Sequence, residues 1–308
     1  MDIRQANETD LPTFVEVFSK LWPNHLGLAE LRRDLELMPE KQRMTMFMAE
    51  IDGEPVGVSR FYRLLGAYHP QKWFGELGIL PDHRGNGLGT QLYDHAIAFL
   101  KEQDAIQVTG RANDDDEKAL QFLKNRGFVE TKRDFESVLK LSEINPDVLV
   151  SMDNPNFDIR TAQQADSERF RHQWHQLFET VRKDIPRDEP PTPFTFEEFG
   201  EIFFNDKEFL WDVSMFAFEG EELIGLTYVY EMDNRGVLFQ GLTAAHRDYR
   251  GRGLAKALKT RAMRRALEKG FLEVHADNDT RNTAMIAINN RLGYQNKPGM
   301  ISLRKLFA

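Results

Sequence analysis

Apolar residues in this chain switch between the alternation of strands and the three-and-four spacing of helices, and the whole succession runs twice. The first run opens with a short strand at Ile3 and Arg4 and a helix starting near Asp10, a residue suited to capping a helix N-terminus. A second helical stretch begins at Ala29. Met46 to Ile51 and Pro55 to Arg63 read as strands joined through Asp52 and Gly53, a pair that favours a tight hairpin. A strand from Lys72 to Leu80 enters a glycine-bearing loop, beyond which Leu88, Leu92, Ala96 and Leu100 mark one helix face. Ile106 to Thr109 predicts a strand, Ala119 to Leu123 a short helix stopped at Gly127, and Phe135 to Leu141 a closing strand.

The second run repeats the order: a strand at Asp158 to Arg160, a helix to Val181, a hairpin from Met215 to Glu231 turning at Gly220, and the strand Phe239 to Ala245 into a second glycine loop. Its loop helix runs from Leu254 to Lys269 with Gly270 as C-cap; Leu272 to Ala276, a helix to Leu292 and a strand from Met300 to Leu306 complete it. Residue identities repeat as well. Ile3, Arg4, Ala6 and Asp10 recur as Ile159, Arg160, Ala162 and Asp166, and Gly127-Phe128 recurs as Gly293-Tyr294. The repeat predicts domains at residues 1–141 and 158–308, with the turn-rich, polar stretch 142–157 as linker. The second copy has extra length at Asp184 to Pro193, where four prolines impose a stiff surface loop.

At 308 residues the chain has length for two ordinary domains. With 40 basic and 49 acidic residues its net charge is −9, and neither half is a basic module for nucleic acid. An acidic surface favours, faintly, a cationic acceptor such as an amine. The absence of cysteine removes disulfides and thiolate chemistry and leads us to expect a reducing, cytoplasmic setting. No leader and no membrane-length apolar run are visible, and no His, Asp or Glu cluster has metal-ligand spacing, so neither membrane nor metal is expected.

Both glycine loops share one pattern: Arg84, Gly85, Asn86, Gly87, Leu88, Gly89 and Arg250, Gly251, Arg252, Gly253, Leu254, Ala255. A glycine turn that opens a helix presents unpaired N–H groups at the positive end of the helix dipole and lets a bulky anion approach the backbone. Neither copy is a P-loop or a dinucleotide fingerprint, for the lysine of the first and the third glycine of the second are missing. After a strand and before a helix, R-x-x-G-x-[G/A] resembles the acetyl-CoA loop of the GNAT superfamily of N-acetyltransferases, and its duplication resembles a tandem GNAT protein.

That resemblance implies two mixed α/β (α+β) domains, each with a mostly antiparallel sheet splayed at the strand entering the loop. It implies acetyl-CoA as acyl donor and direct attack by a small-molecule or peptide amine in a ternary complex. Carried over, the loops with Thr90, the strand ends Leu77, Gly78, Ile79, Leu80 and Leu242, Thr243, Ala244, Ala245, and then Asn113, Asn278, Asn282 and Met285 form the cofactor set. In the family the link between the first two helices walls the acceptor site, so the proline loop is expected to act as a lid.

The candidate catalytic residues are Glu76, Thr243 and Asn289. Many GNAT enzymes place a tyrosine four residues before the glycine of Gly-Phe to protonate the leaving thiolate, and these positions here are Leu123 and Asn289. Either the thiolate leaves without that acid, or another donor such as water or Asn289 assists, or the copy is not catalytic. The base is equally open, between Glu76 in the first copy and Glu231, Asp233 or His246 acting through water in the second. The expected activity is an N-acetyltransferase, monomer or homodimer, with catalysis in the second copy; a non-catalytic acyl-CoA sensor or scaffold is the alternative.

Overall fold

The computed structural model describes residues 2–22, 26–37, 44–187, 189–232 and 236–307. It divides into two compact units, Met1–Thr131 with Ile301–Ala308, and Lys132–Met300.

Elements of the first repeat are β1 (Asp2–Gln5), α1 (Leu11–Leu21), α2 (Leu28–Leu37), β2 (Met44–Ile51), β3 (Glu54–Tyr62) and β4 (Lys72–Ile79). They continue with α3 (Leu88–Glu102), β5 (Gln107–Asn113), α4 (Glu117–Lys124) and β6 (Val129–Lys140). The segment after β6 contains α5 (Pro146–Met152). The second repeat supplies β7 (Asp158–Thr161), α6 (Ala162–Ala165), α7 (Glu168–Val181), α8 (Phe196–Phe203), β8 (Met215–Glu219) and β9 (Glu222–Glu231). It ends with β10 (Val237–Ala245), α9 (Leu254–Glu268), β11 (Glu273–Asp279), α10 (Thr283–Leu292) and β12 (Gln295–Leu306). Among the described residues no helix is long and apolar enough to cross a membrane.

Strand order is β1-β2-β3-β4-β5-β12 in the first unit and β6-β11-β10-β9-β8-β7 in the second. Only β4–β5 and β10–β11 are parallel among the registered pairs. The expected mostly antiparallel α/β fold is present in both units. The boundaries differ from those the repeat suggests. The closing strand of the first repeat, β6, pairs over its second half with β11, from Asp134 opposite Asp279 to Lys140 opposite Glu273. The chain's last strand instead closes the first unit, where Ile301 and Leu303 are core residues and the Phe307 N–H donates to the Ile106 carbonyl. The stretch 142–157, read as a polar linker, is also packed: Ile144, Leu149 and Met152 belong to the core of the second unit.

Each sheet is covered on both faces. In the second unit α9 presents Leu254, Leu258, Ala262 and Met263 to one face, while Phe170, Trp174, Phe199 and Phe203 of α7 and α8 cover the other. Trp174 is wholly buried within contact range of Phe199, Phe203, Phe209 and Phe216. Aromatic pairs of this kind add about 0.5–1.5 kcal/mol each beyond burial, so they fix α7 and the proline loop behind it. Helix α8 is absent from the sequence reading; a capping box formed by Thr195 and Glu198 starts it. At the first helix the cap also differs, since Asn7 accepts from the Thr9 N–H while Asp10 accepts from the Asn7 N–H and pairs with Arg4.

Candidate functional site

In each unit the parallel strand pair parts before the glycine loop. β10 pairs with β11 only over Val237–Phe239, and β4 with β5 only over Lys72–Gly75. Beyond those points the inner edges of both strands carry amides that no ladder uses, a gap into which an extended ligand fits.

The loops are built alike. Gly253 (φ 84°) and Gly87 (φ 77°) are the N-caps of α9 and α3, and neither helix has a side-chain cap. A left-handed residue there leaves first-turn amides open to an anion, and only glycine adopts it without strain. The motif arginine braces each loop on its strand: Arg250 Nε donates to the Ala245 carbonyl at 3.2 Å, and Arg84 Nε to the Ile79 carbonyl at 2.8 Å. Space in front of the loop is free, since a Cβ built on Gly251 meets nothing within 4 Å and one on Gly253 meets only Lys256 Cε at 3.7 Å. This donor set fits a pyrophosphate.

In the second unit a cavity of about 750 Å³ joins that loop to the strand end Leu242–Ala245, to Asn282, Met285 and Ile288 of α10, and to Val181 and Asp184–Pro186 of the proline loop. Of the expected residues, Thr243, Ala244, Arg250, Gly251, Gly253, Leu254 and Ala255 also line it, whereas Arg252, Asn278 and Asn289 do not. Asn282 caps α10 by accepting from the Met285 N–H. Asp184 receives hydrogen bonds from Arg247 and Arg250, which hold its carboxyl well below the usual carboxylate range and tie the proline loop to the glycine loop.

Asn289 and Asn278 turn inward. Buried Lys259 of α9 donates to Asn289 Oδ1, Asn289 Nδ2 donates to Asn278 Oδ1 at 2.7 Å, and Asn278 Nδ2 donates to Ser137 Oγ at 2.8 Å. Burial pushes the Lys259 ammonium down to about 7. A second buried chain runs from the Tyr294 hydroxyl to Gln240 Oε1 (3.0 Å), from Gln240 Nε2 to Thr227 Oγ1 (2.9 Å), and on to Thr243 (2.7 Å) in the cavity wall.

Strand β10 is bulged. Its register against β9 slips between Gln240 and Thr243, leaving Gly241 and Leu242 opposite Tyr228. The Tyr228 ring fills the space a side chain at Gly241 would take, for a Cβ there would lie 2.1 Å from it. Burial raises the Tyr228 pKa steeply; the Leu242 N–H at its hydroxyl lowers it in part. Sequence reasoning missed Tyr228, although its counterpart Tyr62 stands in the first repeat.

The first unit departs at the same places. β4 runs in unbroken register with β3, placing Glu76 opposite Arg60 in an ion pair. Phe122 and Thr90, whose repeat counterparts Ile288 and Lys256 line the cavity, are bridged by Arg126. Its guanidinium lies 3.5 Å from the Phe122 ring centre, and Nη2 donates to Thr90 Oγ1 at 2.7 Å. A Cβ on Gly78 would come within 2.9 Å of Leu21 and Trp22. Asn86 and Asn113 are exposed. Of the other candidate bases, Glu231 and His246 are partly exposed, and Asp233 lies outside the described residues.

The profile of the acetyltransferase (GNAT) family matches residues 11–128 and 170–294. The chain is 30% identical over 112 residues to an uncharacterized N-acetyltransferase of Archaeoglobus fulgidus, covering 34% of this chain and 76% of that protein. It is 33% identical over 110 residues to the N-alpha-acetyltransferase MAK3 of Arabidopsis thaliana, covering 34% of this chain and 53% of that one. Two solved structures share its fold nearly end to end. A GCN5-related N-acetyltransferase from Sphaerobacter thermophilus has TM-score 0.72 at 20% identity, covering 99% of this chain and 95% of its own. A tandem GNAT protein from the clavulanic acid biosynthesis pathway has TM-score 0.74 at 16% identity, covering 99% and 98%.

Proposed function

The chain belongs to the GNAT acetyltransferase family and is an acyltransferase, and from that premise we propose that its second unit transfers an acetyl group from acetyl-CoA to a small-molecule or peptide amine in a ternary complex. The observation that carries this reading is the single cavity in which the glycine loop, the bulged strand end and the proline loop meet. Acetyl-CoA supplies the activated acyl thioester. The amides that open α9 hold its pyrophosphate, and the walls formed by Leu242–Ala245 and by Met285 and Ile288 orient its arm. Free N–H groups of β10 beyond the ladder donate to the thioester carbonyl as charge builds on its oxygen. Thr243, fixed by Thr227, and Asn289, fixed by Lys259, set the strand and α10 at their spacing. As the amine nitrogen bonds to the acyl carbon the C–S bond would break, the ammonium proton passing through water to Glu231 or His246 and the departing CoA thiolate taking a proton from water.

Buried Tyr228 holds the bulge from beneath, its ring against Gly241 and the Leu242 N–H at its hydroxyl. Tyr228→Phe lowers kcat about tenfold, the worth of one neutral hydrogen bond, while the dissociation constant for CoA stays at the parent value. Steady-state kinetics beside calorimetry read both. The proposal itself is tested by following acetyl-CoA-dependent thiol release with pooled amines; a folded chain that binds CoA and acetylates no amine refutes transfer and leaves the scaffold reading.

A second reading applies to the first unit, as a non-catalytic scaffold. The Arg126 bridge between α4 and the first turn of α3, and the engagement of Glu76 by Arg60, both favour it.

A further inference from the structure

The strand that enters the first glycine loop is covered where its copy in the second unit borders a cavity. Glu76 and Gly78 share one face of β4, and the end of α1 lies on that face. A Cβ built on Gly78 would be 2.8 Å from Leu21 Cδ1 and 2.9 Å from Trp22 Cη2, so these two side chains rest directly on the strand backbone. The contact is braced from behind. Trp22 packs on Phe18 with ring centroids 4.6 Å apart, the Arg60 guanidinium lies 4.6 Å from the centre of the Phe18 ring, and Arg60 pairs with Glu76, two residues before Gly78. Leu80, two residues after it, joins Leu21 and Trp22 against the core of Phe14 and Phe18.

In the second unit the repeat positions of Glu76 and Gly78 are Leu242 and Ala244, and both line the cavity. Val181, which ends α7 as Leu21 ends α1, lines it as well, and beyond it Ile185 and Pro186 form a wall. One strand face is therefore a cavity wall in one unit and the seat of a tryptophan in the other. The glycine turns ahead of them do not differ in this way, since a Cβ on Gly85 or Gly87 meets nothing within 4 Å.

We propose that the end of α1 is an autoinhibitory plug: Leu21 and Trp22 fill the place in the first unit that the arm of CoA takes in the second, so the chain binds one CoA although it has two glycine loops. This rests on the reading of the second unit as the acyl-CoA site. The physical reason is that loop amides hold only the phosphate end of an extended ligand, whose arm must then lie along the strand. Where packed side chains fill that track they have to be lifted first, and the apparent affinity falls by the fraction of molecules in which they are lifted. An aromatic stack backed by an ion pair keeps that fraction small. Glu76 is then a fastener of the plug, acting through Arg60, and takes no part in proton transfer.

Calorimetry of the full chain with CoA counts the sites. The parent is expected to bind one CoA and the Leu21→Ala, Trp22→Ala double variant two. Adding Gly87→Glu to the double variant should return the count to one by removing the new site, and adding Gly253→Glu instead should leave only the new site. A measurement without substitutions runs beside it: in the parent, CoA should slow amide hydrogen exchange at residues 251–255 and leave residues 85–89 unchanged. A parent that binds two CoA, or a folded double variant that still binds one, overturns the proposal. If the double variant does not fold, the exchange measurement decides, and equal slowing at both loops overturns the plug. A parent that binds no CoA would instead remove the reading of the second unit on which the proposal rests.

Discussion

Gly253→Glu will all but abolish CoA binding by this protein, and Gly87→Glu will leave it near the parent value. The two glycines have the same place in the repeat, the same left-handed backbone and the same helix behind them. Both substitutions carry the same backbone penalty, about 1–2 kcal/mol for a side chain in the left-handed region. What differs is the groove ahead of the loop. In the second unit Lys256 and Ile288 line an open cavity; in the first the loop itself is equally open, but Arg126 ties Phe122 to Thr90 at the corresponding wall positions. A carboxylate at position 253 replaces two charge-assisted bonds worth about 1.5–3 kcal/mol each, so affinity falls by about 10² to 10⁴-fold. Gly253→Ala is the control that carries the strain without the charge and should lose much less. Calorimetry with CoA on the three folded variants decides it. Equal losses at both positions would mean that the first unit also holds the ligand, and would return Glu76 to consideration as a base.

Lys259→Met is expected to stabilise the protein below neutral pH and to lose that advantage as the pH rises. Lys259 is buried with Asn289 Oδ1 and the Tyr294 ring against its ammonium, and no carboxylate pairs with it among the described residues. Its pKa falls from 10.5 to about 7 in the fold. The unfolded chain therefore binds a proton here more tightly than the native one, so stability climbs between pH 7 and about 10.5 and is lowest below 7, where the buried group is charged. A shift of this size corresponds to at most about 5 kcal/mol, and the Asn289 bond and the Tyr294 face return part of it to the parent. The net gain from methionine is about 2–4 kcal/mol at pH 6, vanishing toward pH 10. Urea unfolding of both proteins at pH 6, 7.5 and 9 measures it. Parallel curves would show that Lys259 keeps its charge throughout.

Much of the fold was legible because it rests on local rules. The hairpin at Asp52-Gly53 needs two left-handed residues, and both have positive φ. Gly270 follows the end of α9 in the left-handed form that a C-cap requires. The glycine loops were equally readable, because a turn that exposes helix amides needs glycine at fixed places. Tyr228 was hidden for the opposite reason. A tyrosine in an apolar strand looks like core, and its ring lies beneath Gly241 only because the opposite strand carries an extra residue there, which pattern alone does not reveal.

By itself, then, the sequence determined that the protein is a duplicated α/β acyltransferase with a glycine turn opening a helix in each copy, since period, glycine placement and repetition are properties of neighbouring residues. How the two grooves differ was decided in three dimensions: one guanidinium bridges two helices in the first unit and has no equivalent in the second, where Leu292 stands at the repeat position of Arg126. The tertiary structure also decided which strand closes which unit. β6 and β12 are copies with similar apolar alternation, so either satisfies the same ladder, and only packing of Leu139 in the second core and of Ile301 and Leu303 in the first distinguishes them.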